Sequence, residues 1–121
     1  MKHNLYLALG SNLGDRQQYL HSALELLAQR VGNVVATSSA IETLPVGFES
    51  ENLFLNAAVH IETELGVDEV LAATQQMEGE LGRPAKSDTT GYSDRTIDID
   101  LLAYDDVQLQ QPGLTLPHPA M

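Results

Sequence analysis

Cysteine is absent from this chain, cations are few, and no apolar run is long. Without cysteine there are no disulfides, no thiolate nucleophile and no zinc site that needs sulfur. No apolar stretch approaches the ~18 residues that span a bilayer, so no membrane partner is expected. The opening Met1-Lys2-His3-Asn4 runs straight into a strand-like segment rather than a signal peptide, and the expected location is cytoplasmic. Repeats and low-complexity tracts are missing too. What remains is 121 residues, 43% hydrophobic and 19% charged, the composition of an ordinary globular domain with one core.

The scarcity of cations carries more. Six Lys and Arg face seventeen Asp and Glu, a formal charge of −11. Nucleic acid as a partner is excluded by that field, because its binding rests on neutralising phosphates. The six cations are Lys2, Arg16, Arg30, Arg83, Lys86 and Arg95, so half of them fall between positions 83 and 95. A cationic loop in an acidic chain is where a small anion would bind.

Along the chain, Leu5, Leu7 and Leu9 alternate with Tyr6 and Ala8, which predicts a strand over Asn4–Leu9, punctuated by Gly10-Ser11-Asn12-Leu13-Gly14. Leu20, Leu24, Leu27 and Val31 form one stripe of an amphipathic helix, with Asp15 near its start. Val34–Thr43 reads as a second strand, Leu44–Asn52 as a loop and Leu53–Glu62 as a third strand. A second helix is expected over Val67–Leu81, with Val67, Val70, Leu71, Thr74, Met77 and Leu81 on one side and Gly82 as its stop. Arg83–Asp94 reads as a polar loop, Thr96–Tyr104 as a fourth strand, and Val107–Gln110 as a short one. The order β-α-β-β-α-β predicts an α+β, ferredoxin-like fold, an antiparallel sheet with both helices on one face.

The sharpest chemical feature is Asp98-Ile99-Asp100. Side chains two apart on a strand share a face, their Cα atoms roughly 6.5–7 Å apart. Two carboxylates held this way repel each other unless they share a cation, and hard oxygen donors on a rigid surface suit Mg²⁺ completed by substrate phosphates. Taken alone, the pair also fits a solvated sheet face. Arg95, Arg83 and Lys86 shift the balance, since carboxylates beside guanidinium groups are what phosphoryl transfer needs; for Arg95 the bland alternative is an ion pair with Asp94 or Asp98. Gly10–Gly14 lacks the Walker pattern. His118, between two prolines, either reaches a phosphate or base or is simply exposed. Asn56, two residues after Phe54, either reads a flat heterocycle beside that ring or is an edge-strand asparagine.

Taken together the chain resembles the 6-hydroxymethyl-7,8-dihydropterin pyrophosphokinases of folate biosynthesis. The resemblance rests on Ala8-Leu9-Gly10-Ser11-Asn12-Leu13-Gly14-Asp15-Arg16, Thr43-Leu44-Pro45-Val46-Gly47 and Leu55-Asn56-Ala57-Ala58-Val59. It continues through Gln75, Glu78, Gly82-Arg83, Arg95-Thr96-Ile97-Asp98-Ile99-Asp100 and Leu116-Pro117-His118-Pro119. It implies an enzyme that uses ATP and two Mg²⁺ ions to transfer a pyrophosphoryl group to the hydroxymethyl of a reduced pterin, acting as a monomer. By the resemblance Asp98 and Asp100 bind the metals, and Arg83 and Arg95 meet ATP phosphates or order the loop around them. Leu71, Gln75, Glu78, Leu101, Thr115 and His118 surround the nucleotide. Thr43, Leu44, Val46, Phe54 and Asn56 form the pterin pocket, with Tyr92 closing over it where many members have Trp. Two departures stand out. Ala85 occupies a position where many members carry a second basic residue, with Lys86 adjacent. The family also continues past the equivalent of Met121 with an Arg and a Phe that meet ATP and pterin. The expectation is therefore a single pyrophosphokinase domain over residues 1–121 without the usual C-terminal segment. The rival from another class is a pterin- or nucleotide-binding module without turnover; a two-metal nuclease is disfavoured by the charge.

Overall fold

The computed structural model describes residues 2–12, 15–43, 54–81, 97–111 and 114–117. Strand β1 (His3–Ser11) is followed by helix α1 (Arg16–Arg30), β2 (Gly32–Thr37), β3 (Ile41–Thr43), β4 (Phe54–Thr63), α2 (Val67–Glu80) and β5 (Asp98–Tyr104). A two-stranded unit, β6 (Leu109–Gln111) with β7 (Leu114–Leu116), completes the order. The main sheet runs β2-β4-β1-β5, every pair antiparallel, with β3 also on β4. This is the order expected of a ferredoxin-like β-α-β-β-α-β chain.

Alternation places the core. Leu5, Leu7 and Leu9 of β1, Leu55, Val59 and Ile61 of β4, and Ile99 and Leu101 of β5 are all buried under the helices. Leu20, Ala23 and Leu27 of α1 and Val70, Thr74 and Met77 of α2 meet them. Ala23 takes a place the expected stripe gave to Leu24, which is half-buried: a small residue lets α1 sit close to the sheet. Asp15 caps α1, its carboxylate accepting from Gln18 N at 3.1 Å. At the other helix ends Arg30 donates to both oxygens of Glu80, at 2.6 and 2.7 Å, clasping α1 to α2.

Several boundaries differ from the expected ones. Gly10 and Ser11, expected as punctuation, belong to β1, because Gly10 pairs with Asn56 on one side and Asp98 on the other. The single strand expected over Val34–Thr43 is two. Ser38 N donates to Ala58 O at 2.9 Å, while the Ser38 hydroxyl accepts from Ala58 N at 2.8 Å in place of its own carbonyl. That side-chain competition ends the ladder, and pairing resumes one residue out of step at Ile41↔Asn56. The helix expected to reach Leu81 ends at Glu80 with Leu81 as its cap. The short strand expected over Val107–Gln110 is β6, which finds a partner in β7. The expected loops over 44–52 and 83–94, and the stop at Gly82, lie outside the described residues.

A second irregularity falls in β5. Leu7 pairs with Leu101 but Tyr6 with Ala103, so Leu102 is an extra residue. The bulge turns Tyr104 into the core, 5% exposed, although it stands an odd number of positions from Leu101.

Two predictions arise from the frame. A Cβ on Gly32 would lie 2.1 Å from the carbonyl oxygen of Glu62, on backbone that cannot swing aside. Gly32→Ala is expected to destabilise by about 1–3 kcal/mol, the usual cost of overpacking, read as a lowered denaturation midpoint. The second concerns Asp105, which turns the chain after β5 with φ 47°. Its carboxylate accepts from Asn4 N at 2.6 Å and meets His3 Nδ1 at 2.6 Å. The backbone bond first, then His3, hold its pKa below the usual carboxylate range. A depressed folded-state pKa stabilises above the unfolded value and loses that contribution as pH falls through the folded one. Asp105→Asn, which keeps the left-handed turn, is therefore expected to flatten the fall in melting temperature below about pH 4.

Candidate active site

The face of the sheet opposite the helices holds the chemistry. On β5 the register Gly10↔Asp98 and Ala8↔Asp100 sets both carboxylates on this open face, Asp98 partly covered and Asp100 exposed. On the far side of β1 the same two positions meet Asn56 and Ala58 of β4. Two rows thus cross the sheet, Ile41–Asn56–Gly10–Asp98 and Ala58–Ala8–Asp100. Between the amide and the carboxylates lies one strand with almost no side chain. Neighbouring strands are about 4.8 Å apart, so Asn56 and Asp98 stand roughly 9–10 Å apart across Gly10, which is itself buried.

Gly10 shapes the floor between them. A Cβ there would stand 3.1 Å from Asn56 Oδ1 and 3.4 Å from Phe54 Cδ1, so the amide and the ring lean over the space a side chain would fill. Asn56 Nδ2 also donates to Phe54 O at 3.4 Å. Asn56 is no edge-strand asparagine: β4 is flanked by β1 and β3. At the lower end the floor is bounded by Tyr6 and His60, stacked with ring centroids 4.5 Å apart. His60 Nε2 in turn lies 2.9 Å from Asn4 Oδ1.

On the other side of the carboxylates, α2 packs along the free edge of β5. Leu71 is half-buried, Gln75 exposed and Glu78 buried, its carboxylate accepting from Ile99 N at 2.8 Å. Leu101 faces the helices, 4% exposed. Thr115 is exposed on β7, which lies beside β5. Thr43 is in β3, paired with Phe54. The structure therefore brings together Phe54, Asn56, Asp98 and Asp100 on one face, and Gln75, Leu71 and Thr115 around the strand edge beside them. Leu44, Val46, Arg83, Lys86, Tyr92, Arg95 and His118 lie outside the described residues.

The donor set fits Mg²⁺. Among the described residues no three of His, Asp and Glu gather into a metal cage. Two carboxylates on rigid backbone match an ion that keeps waters and takes substrate phosphates as its other ligands. A groove of about 470 Å³ between Asp15, Gln18, Tyr19 and Ser22 of α1 and Glu80 and Leu81 at the end of α2 lies in the helix layer, across the sheet from these groups.

The expected residues did not include Gly10, Ala8 and Ala58, the floor itself. Their signal was available: on β1 the residues between the leucines shrink from Tyr6 to Ala8 to Gly10, an outward face emptied toward one end.

Comparison with known proteins gives this arrangement a lineage. Residues 6–121 match the family model described as 7,8-dihydro-6-hydroxymethylpterin-pyrophosphokinase (HPPK). A Porphyromonas gingivalis protein named 2-amino-4-hydroxy-6-hydroxymethyldihydropteridine pyrophosphokinase is 50% identical over 118 residues, 97% of this chain and 80% of its own length. A Bacillus subtilis protein of the same name is 43% identical over 122 residues, all of this chain and 71% of that one. The chain also matches 32% of a Lactococcus lactis protein named bifunctional protein FolKE, at 39% identity. With nearly the whole chain matched, and half of it identical to one such relative, the chain belongs to the 7,8-dihydro-6-hydroxymethylpterin-pyrophosphokinase family of diphosphotransferases.

Proposed function

We propose that the chain transfers the pyrophosphoryl group of ATP to the hydroxymethyl oxygen of 6-hydroxymethyl-7,8-dihydropterin, a step of folate biosynthesis, with two Mg²⁺ ions held by Asp98 and Asp100. The observation that carries it is the position of Gly10, which has no side chain, between Asn56 and Asp98. It separates an amide and an aromatic ring on β4 from two carboxylates on β5 by two strand spacings. A flat heterocycle over Phe54 and Asn56 would extend its hydroxymethyl arm across Gly10 toward the carboxylates. The hydroxyl oxygen attacks the β-phosphorus, the bond from that phosphorus to the oxygen it shares with the α-phosphorus breaks, AMP leaves with that oxygen, and the hydroxyl proton passes to solvent.

Each group then has a physical task. Asn56 offers both a donor and an acceptor to the edge of a pterin ring, with Phe54 beneath it and Thr43, Leu44, Val46 and Tyr92 completing the pocket. Asp98 and Asp100 by themselves repel a polyphosphate, so nucleotide binding here depends on divalent metal. Mg²⁺ held by Asp98 and Asp100 would supply neutralisation of the phosphate charge. Arg83 and Arg95 carry the rest of that charge, each suited to bidentate contact with phosphate. Leu71, Gln75, Glu78, Leu101, Thr115 and His118 serve nucleotide binding, Leu101 and Glu78 from buried positions.

The test is release of AMP from ATP in the presence of the hydroxymethyl-dihydropterin and Mg²⁺. AMP formed in step with pterin consumed supports the transfer. Tight binding of both ligands without AMP would replace it with the non-catalytic pocket.

A further inference from the structure

We propose that Glu78 is a positioning residue whose carboxylate, by holding the Ile99 amide, fixes the aim of Asp98 and Asp100 toward the metal. The inference rests on the carboxylate pair being the metal site.

β5 is the last strand of the main sheet. Its inner edge is tied to β1, with Asp98 opposite Gly10 and Asp100 opposite Ala8. In an antiparallel ladder successive backbone groups point alternately toward the partner and away from it. The Ile99 amide points away, toward the free edge, and there it donates to Glu78 Oε2 at 2.8 Å. It belongs to the Asp98–Ile99 peptide, which ψ of Asp98 and φ of Ile99 orient. Rotating that peptide turns the backbone of Asp98 directly and reaches Asp100 through Ile99.

The residue that captures this amide is an unexpected choice. Glu78 lies on the buried side of α2 with Val70, Thr74 and Met77 and is only 6% exposed. Burying a carboxylate is costly unless it is well hydrogen-bonded, and this one sits close behind two others on β5. If the need were only to fill space under α2, an apolar side chain would do it without that cost. The position supplies what a leucine cannot: an acceptor at the free edge of the strand, at the level of the acids.

Hydrogen bonding and charge are separable. Glu78→Gln keeps an amide oxygen that can accept from Ile99 N, whereas Glu78→Leu keeps neither oxygen. The full chain would be titrated with MgCl₂ in the presence of a non-hydrolysable ATP analogue by calorimetry, alongside hydrogen exchange of the Ile99 amide followed by NMR. In Glu78→Leu the Ile99 amide is expected to exchange at least tenfold faster and the Mg²⁺ affinity to fall at least tenfold. Glu78→Gln is expected to hold the amide near its native protection and to recover Mg²⁺ affinity to within about threefold of the unaltered chain. A folded Glu78→Leu with native Mg²⁺ affinity would overturn the inference. If that variant does not fold, the Gln variant decides: tenfold weaker Mg²⁺ binding with the Ile99 amide still protected would mean that charge, not positioning, is the role. An unaltered chain whose analogue binding ignores Mg²⁺ would overturn the reading of Asp98 and Asp100, and this inference with it.

Discussion

Asp98→Asn and Asp100→Asn are each expected to reduce Mg²⁺-dependent pyrophosphoryl transfer by at least about 10²–10³-fold, the loss typical when one group stabilising transition-state charge is removed. Asparagine has the same shape and one oxygen fewer to offer, and it carries no charge to balance a divalent ion. Both side chains point to the open face, so neither substitution touches the buried leucines and isoleucines of the core. The shift in melting temperature produced by Mg²⁺ and nucleotide is expected to disappear. Activity assays beside melting curves with and without Mg²⁺ check both halves. Native turnover in either variant would remove that residue from the site.

Gly10→Val is expected to cost as much from the other direction, by adding atoms rather than removing charge. The first added carbon already stands 3.1 Å from Asn56 Oδ1 and 3.4 Å from Phe54 Cδ1. Two further methyl groups would push the amide and the ring off the floor and occupy the path between them and Asp98. Displacing reacting groups by an ångström costs about 100-fold, and that is the loss expected in kcat/KM for the pterin. The strand itself favours valine over glycine, so stability is expected to hold. Binding of the nucleotide with Mg²⁺ is expected to change far less than binding of the pterin, since the carboxylates lie on the neighbouring strand. Equal loss of both ligands, or of neither, would mean that the floor does not divide them as described.

The fold was legible because periodicity carries it. Leu5, Leu7 and Leu9 declare a strand, and Val70, Thr74 and Met77 declare a helix, from apolar spacing alone. The failures occur where one side chain overrides the period. Val34–Thr43 reads as continuous because its residues all suit a strand; the break comes from the Ser38 hydroxyl taking a backbone donor. Gly10 reads as a turn because glycine has two uses, freedom of backbone and absence of bulk, and only the pairing of β1 with both β4 and β5 shows that the second is in play. The site divides in the same way. Asp98 and Asp100 announce themselves by spacing, and Asn56 beside Phe54 by parity. The burial of Glu78 was not legible: its position on the apolar side of α2 is visible in the sequence, but the amide that draws it there belongs to a strand about twenty residues away.

Folding and chemistry draw on alternate residues of the same three strands. On β1, β4 and the first half of β5 the odd-numbered positions, such as Leu7, Val59 and Ile99, hold the core. Even-numbered ones, Ala8, Gly10, Asn56, Asp98 and Asp100, form the face proposed for the reaction. Selection for stability and selection for catalysis therefore fall on two interleaved combs, each nearly free of the other. A map of tolerated substitutions would show a two-residue beat, odd positions failing by unfolding and even ones by silence. The extra residue at Leu102 inverts the beat, so that beyond it an even position, Tyr104, guards the core. One insertion thus marks where the strand stops serving the reaction and returns wholly to holding the molecule together.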